Sequence, residues 1–148
     1  MTIRIGNVND LQELNSISLK SKKYWGYPQE WIELWKDELT LTPEEISDHF
    51  ILVVETRNRI VGFGALSETD EYFEIEHLWV LPEYMGKGIG SKLIKKLLSR
   101  VKMNKKPVIV ISDPNAENFY KSHGFITHKK VESLPRGRFL PLMRKDSE

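Results

Sequence analysis

The sequence predicts a mixed α/β protein, with helices packed around a single central sheet. Three observations carry this reading. The hydrophobic spacing changes repeatedly between helical and strand periods. Residues 50–80 hold three consecutive strand-like segments joined by tight turns. A glycine-rich stretch then leads into an amphipathic helix, followed by a continuous apolar strand. The 148 residues suit one domain, 1–148, long enough to bury a core without staples.

The elements follow in order. Ile3-Arg4-Ile5 is a short first strand. Asn9 or Asp10 can cap a helix whose face is Leu11, Leu14, Ile17 and Ser18. Lys20 to Tyr27 reads as a break. A second helix carries Trp31, Leu34 and Trp35 on one face. Thr42-Pro43-Glu44-Glu45 starts a third, with Thr42 as cap, Pro43 in the first turn and Glu45 as the capping-box acid. Phe50 to Glu55, Ile60 to Leu66 and Tyr72 to Val80 form the meander. Pro82 ends it, because proline cannot donate to the ladder. The next helix buries Leu93, Ile94, Leu97, Leu98 and Val101. Val108 to Ile111 reads as a strand covered on both faces. Asp113-Pro114 starts another helix, Gly124 ends it, and Phe125 to Lys130 and Arg138 to Arg144 close the sheet.

Composition removes several function classes. The chain is 40% hydrophobic and 29% charged, with a formal net charge of +1, so nothing points to a nucleic-acid partner. With no cysteine there is no disulfide, thiol nucleophile or cysteine zinc site. That fits a reducing cytosol, and a cytoplasmic location is the expectation. No signal-like or membrane-spanning apolar run is present. The histidines show no metal-ligand spacing, so no metal is expected.

Chemistry concentrates in Met85-Gly86-Lys87-Gly88-Ile89-Gly90-Ser91. Glycine lets backbone N–H groups approach a ligand closely. A helix start adds free donors and the positive end of the dipole. Together they cradle phosphate or pyrophosphate, with Lys87 and Lys92 adding charge. A P-loop would need Ser or Thr after the lysine, where Gly88 stands. A dinucleotide fingerprint would need glycine at Ser91 and an acid about 20 residues on, in a region that is basic here. The competing reading is a turn that merely reverses the chain; the glycine spacing and the helix start weigh against it.

The stretch from Ile75 to Gly90 resembles the acetyl-CoA motif of the GNAT superfamily of N-acyltransferases. Asn115-Ala116-Glu117-Asn118-Phe119-Tyr120-Lys121-Ser122-His123-Gly124-Phe125 resembles that superfamily's second motif. The resemblance implies a mostly antiparallel sheet of about seven strands with four or five flanking helices. Its fourth and fifth strands would form a splayed parallel pair. It implies acetyl-CoA as cofactor, with the pantetheine arm along a bulge mapped to Leu78-Trp79-Val80 and the pyrophosphate on the amides from Gly86 to Ser91, through Lys87, Gly88, Ile89 and Gly90. Met85 departs from the family's usual Arg or Gln and removes one polar side chain. Asn115, Asn118 and Phe119 would border the cofactor.

By the same resemblance Tyr120 is the general acid that protonates the departing thiolate. The alternative is a core aromatic packed with Phe119. Glu76 matches the general base that takes a proton from the acceptor amine, with Glu74 and His77 as alternatives. Strand alternation puts Glu74 and Glu76 on one face and His77 on the other. The acceptor would meet Tyr24, Trp25 and Tyr27, whose rings could cage a cation. Arg138 could bind a carboxylate or phosphate on it, or stand in a solvated turn. Trp31 and Trp35 read as core.

The resulting expectation is an N-acetyltransferase acting on a small-molecule or protein amine by direct attack in a ternary complex. Two rivals stand beside it: a non-catalytic acyl-CoA-binding regulatory module, and a nucleotide-binding domain of another class. Pairing of two copies through a sheet edge or the closing strands is compatible with the sequence.

Overall fold

In the computed structural model, which describes residues 1–147, seven strands form one sheet in the order β1-β2-β3-β4-β5-β7-β6. The strands are β1 (Thr2–Ile5), β2 (Phe50–Thr56), β3 (Arg59–Glu68), β4 (Phe73–Val80), β5 (Val108–Ile111), β6 (Ile126–Glu132) and β7 (Phe139–Lys145). The helices are α1 (Leu11–Lys23), α2 (Gln29–Leu34), α3 (Lys36–Leu39), α4 (Pro43–Asp48), α5 (Ile89–Val101) and α6 (Glu117–Ser122). Every strand pairing is antiparallel except β4 with β5. No helix among the described residues is long and apolar enough to cross a membrane.

Several sequence expectations hold locally. Thr42 and Glu45 make a reciprocal capping box at the start of α4. Asp113 accepts a hydrogen bond from the Asn115 N–H as a cap. Leu93, Ile94 and Leu97 of α5 are fully buried against the sheet. The helix can lie that close because β3 carries glycine beneath it. A Cβ at Gly64 would sit 2.7 Å from Leu97 Cδ1.

Other expectations need correction. Helix α1 runs through the expected break at Lys20 and ends at Lys23. Its last turn is held by burial of Ser21 and Lys22, whose polar ends are satisfied: Ser21 Oγ donates to the Val80 carbonyl at 2.7 Å, and Lys22 pairs with Asp113. The second expected helix is two short ones, interrupted at Trp35. Its buried face is Ile32, Trp35 and Leu39, while Leu34 is 52% exposed. Strand β5 is not covered on both faces. Val108 and Val110 are buried, but Ile111 is 44% exposed, because β5 leaves its parallel neighbour at that point.

Candidate active site

The site begins with that divergence. β4 and β5 are in register only at Phe73 with Val108 and Glu74 with Ile109. Beyond them, the edge of β4 that faces β5 has no strand partner. Apart from the Val80 carbonyl, which accepts from Ser21 Oγ, its backbone groups can bond an extended ligand, since an unpaired strand edge is a template for pairing. The bulge lies elsewhere than expected. β3 pairs regularly with Leu78, Trp79 and Val80, and the register slips between His77 and Ile75. Glu76 is therefore the extra residue, and the earlier mapping to Leu78-Trp79-Val80 is corrected. The position of a bulge depends on the partner strand's register, which lies outside the local sequence.

A cleft of about 460 Å³ opens in this gap. Leu78, Trp79, Val80, Met85, Gly86, Gly88, Ile89, Gly90, Ser91, Asn115, Phe119 and Tyr120 line it, as does Trp25 from the acceptor group. Gly86 and Gly88 hold φ of 77° and 81°, and a Cβ at either would touch nothing within 4 Å. Their requirement is thus conformational, and it turns the loop's amides toward the start of α5. Ser91 hydrogen-bonds His123 at 3.2 Å across the cleft's rim. Asn118 is exposed and does not border the cleft. Lys87 is also absent from its lining and lies beside it instead.

Tyr120 is 5% exposed, with its ring edge-on to Phe119 and Phe125 at 5.2 and 5.5 Å. It is both a packed aromatic and a lining residue of the cleft. Burial pushes its phenol pKa up, so the hydroxyl keeps its proton.

A second chamber of about 630 Å³ adjoins the cleft. It shares Ile75, Glu76, His77 and Trp79 of β4, Ile111 of β5 and Asp113 with the cleft, so the two adjoin at the gap between the strands. Glu74 and Glu76 both line the chamber, as do Ile75 and His77. Glu76 is exposed and accepts a hydrogen bond from Ser67 Oγ at 2.6 Å. Glu74 is half-buried, and its pKa is raised to about 7, first by desolvation and then by the charge on Glu76. His77 is a poor base. Burial lowers its pKa to about 4, and its Nδ1 accepts a hydrogen bond from Trp79 Nε1 at 3.0 Å.

The acceptor residues expected from sequence are rearranged. Tyr24 is exposed and lines neither opening. Tyr27 is not a free pocket wall. Its hydroxyl contacts both Asp113 oxygens at 3.1 Å and receives hydrogen bonds from Asn115 at 3.1 Å and Arg138 at 3.4 Å. An aromatic cage does form, from Tyr27, Trp35 and Trp79, but the protein's own Lys22 fills it. The Lys22 ammonium stands 4.8 to 5.9 Å from the three ring centres. Arg138 is likewise engaged, 4.2 Å above the Trp35 ring and 3.7 Å from Asp113. The Lys22–Asp113–Arg138 cluster was missed in the sequence. In the sequence Lys22 falls in the stretch read as a break, so nothing there signalled the pairing.

The comparisons agree with this geometry. Residues 22–145 match the family described as acetyltransferase (GNAT) domain. An uncharacterized N-acetyltransferase of Methanocaldococcus jannaschii is 28% identical over 150 residues. That match covers 91% of this chain but only 65% of the longer archaeal protein. The PaiA N-acetyltransferase of Thermoplasma acidophilum, solved in complex with coenzyme A, superposes with a TM-score of 0.77 at 23% identity, over 99% of both chains. A GCN5-related N-acetyltransferase from Rhodopseudomonas palustris superposes with a TM-score of 0.81 at 21% identity, over 98% of this chain and 94% of that one. From its splayed strand pair, its glycine cradle and the match across residues 22–145, the chain belongs to the acetyltransferase (GNAT) domain family.

Proposed function

We propose that this chain transfers an acetyl group from acetyl-CoA to a primary amine by direct attack within a ternary complex. The observation that carries the reading is that the glycine-lined cleft and the carboxylate-lined chamber share wall residues on both β4 and β5, at the splayed gap. The cradle fits a pyrophosphate, because its glycines leave room for one against the start of α5. The free edge of β4 fits the amide-bearing pantetheine arm, which can bond to it as a strand would. When bound, acetyl-CoA supplies the acetyl group as a reactive thioester. The chain's own residues do the rest. Amides on the free edge of β4 can donate to the carbonyl oxygen as charge develops there. Tyr120 holds a proton at its hydroxyl for the leaving sulfur.

The proton of the acceptor's ammonium goes to the Glu74–Glu76 pair. Glu76 stands where cleft and chamber meet, and Glu74 lies beside it with its pKa near 7. The charge on Glu76 helps to raise the Glu74 pKa, so the two carboxylates are assigned together as the base. The acceptor itself enters through the chamber, where Glu38, Glu74, Glu76, Asp113 and Glu132 outnumber Lys22, Arg136 and Arg138 and so favour a cationic amine.

Calorimetric titration with acetyl-CoA, using ATP as control, tests the cofactor reading. Saturable binding at roughly micromolar concentration is expected for acetyl-CoA and not for ATP. Absence of binding would withdraw the enzyme reading while leaving the fold intact.

The carboxylate pair makes a separate prediction about pH. A base must be ionised to accept a proton, so kcat/KM for amine acetylation should rise with pH through about 7. Glu76→Gln removes the like charge and should move that midpoint downward. Glu74→Gln should abolish this ionisation step. A midpoint that neither substitution moves would assign the proton to another acceptor.

A further inference from the structure

The segment between β6 and β7 brings Ser133, Leu134, Arg136 and Arg138 to the wall of the acceptor chamber. We infer that Arg138, helped by Arg136, binds a carboxylate on the acceptor, so that the substrate is an amino acid, an amine that carries its own carboxylate. The inference rests on the proposed acetyl transfer and names the class of acceptor for it.

The first support is a nearly buried cation without a counterion of its own. The Arg138 side chain is 12% exposed. Asp113, its one ion-pair partner among the described residues, stands 3.7 Å away, beyond hydrogen-bonding distance. The Asp113 oxygens are already taken. They accept from Lys22, from the Tyr27 hydroxyl and from the backbone and side-chain N–H groups of Asn115. The remaining side-chain contacts of Arg138 are long, 3.4 Å to the Tyr27 hydroxyl and 3.4 Å to Ser133 Oγ. The rings of Trp35 and Tyr27, with centres 4.2 and 5.2 Å from Arg138 Cζ, steady the guanidinium but bring no formal negative charge. One carboxylate thus serves two nearly buried cations, and the cluster keeps a net positive charge at the chamber wall. A charge withdrawn from water is costly unless it is paired and hydrogen-bonded, so an anion on the substrate completes the cluster.

The second support is how charge is distributed in the chamber. Arg136 is exposed and forms no ion pair among the described residues. Glu132 is turned back on its own loop, where it accepts from the Gly137 N–H at 2.9 Å. The β4 wall carries Glu74 and Glu76 instead, and neither is in an ion pair among the described residues. The chamber is therefore bipolar, with carboxylates on β4 and guanidiniums before β7. The carboxylates receive the ammonium and the arginines receive the other end. A guanidinium fork suits a carboxylate, because two parallel N–H groups meet its two oxygens. The third support is a rigid mount. The Ser133 N–H donates to the Arg138 carbonyl at 2.7 Å, and the Arg138 N–H to the Pro135 carbonyl at 3.1 Å. Trp35 Nε1 ties the same segment to the helices by donating to the Leu134 carbonyl at 2.7 Å. Arg138 is thus in place before substrate arrives, and little ordering is lost on binding.

The test measures thiol release from acetyl-CoA with matched acceptors: free α-amino acids of each side-chain class and short ω-amino acids, each against its own amide. The best acceptor should be a free acid, with kcat/KM roughly ten- to hundredfold above that of its amide. In Arg138→Gln the ratio of acid to amide should fall toward one, chiefly through KM. Arg138→Lys, which keeps the charge and loses the fork, should retain part of it. Arg136→Gln should lower the ratio by a smaller factor. Calorimetric binding of acetyl-CoA is the folding control for each variant. If Arg138→Gln fails that control, Arg138→Lys and Arg136→Gln carry the comparison. An amide used as well as its acid, or a ratio preserved in all the arginine variants, would overturn the inference. So would a native chain that binds acetyl-CoA but acetylates none of the acids. Failure of the native chain to bind acetyl-CoA would instead sink the acetyl-transfer reading itself.

Discussion

Replacing Tyr120 by Phe is expected to lower kcat for acetyl transfer by roughly a hundredfold or more, with little change in acetyl-CoA affinity. The substitution removes one oxygen and keeps the ring. The edge-on contacts with Phe119 and Phe125 are retained, and Tyr120's burial means no large rearrangement has to follow. No hydrogen bond to this hydroxyl is found among the described residues, so its removal orphans no buried partner. The protein should therefore melt within a few degrees of the native chain. A purely structural tyrosine and a proton donor thus give different outcomes. The structural role predicts unchanged kcat; the donor role predicts a slow enzyme that still binds its cofactor. Thiol release under saturating substrate measures the first quantity and calorimetry the second. Retention of full kcat would pass the proton-donor role to water.

Asp113→Ala is expected to have the largest effect on stability, about 3–5 kcal/mol, the range found when one partner of a buried ion pair is removed. Both side chains of the Lys22–Asp113 pair are about one-tenth exposed, and Arg138 lies 3.7 Å from the same carboxylate. Removing Asp113 leaves two cations facing each other amid aromatic rings. It also strips the cap from the Asn115 N–H and a partner from the Tyr27 hydroxyl. For a chain of this size the melting temperature should fall by roughly 10 °C or more. Combining Lys22→Met with Asp113→Leu should recover much of the loss, because no charge is then left unpaired. A single variant as stable as the native chain would mean the pair contributes nothing.

The same cluster fixes a pH dependence. Burial works against the charged form of Asp113, but Lys22 and the hydrogen bonds from Asn115 and Tyr27 outweigh it and hold the pKa below the usual carboxylate value. A depressed acid stabilises the fold above its unfolded pKa and loses that contribution as pH falls through its folded one. Acid unfolding should therefore flatten in the double apolar variant, as a melting series below pH 5 would reveal.

Much of this molecule is determined by residues close together in sequence. The capping box of α4, the stripe of α5 and the glycine loop each lie within one or two turns of chain. Their physics is local, namely periodicity, hydrogen bonding at a helix end and backbone freedom at positive φ. The sheet's strand count and the cradle were legible for that reason. Tertiary structure decided the rest. The bulge sits at Glu76 because β3 sets the register opposite it. β5 has an exposed face because its neighbour turns away. The aromatic cage is occupied because Lys22 meets Asp113 across 91 residues of sequence. Charge pairing and burial depend on distance in space, and distance in sequence carries almost none of that information.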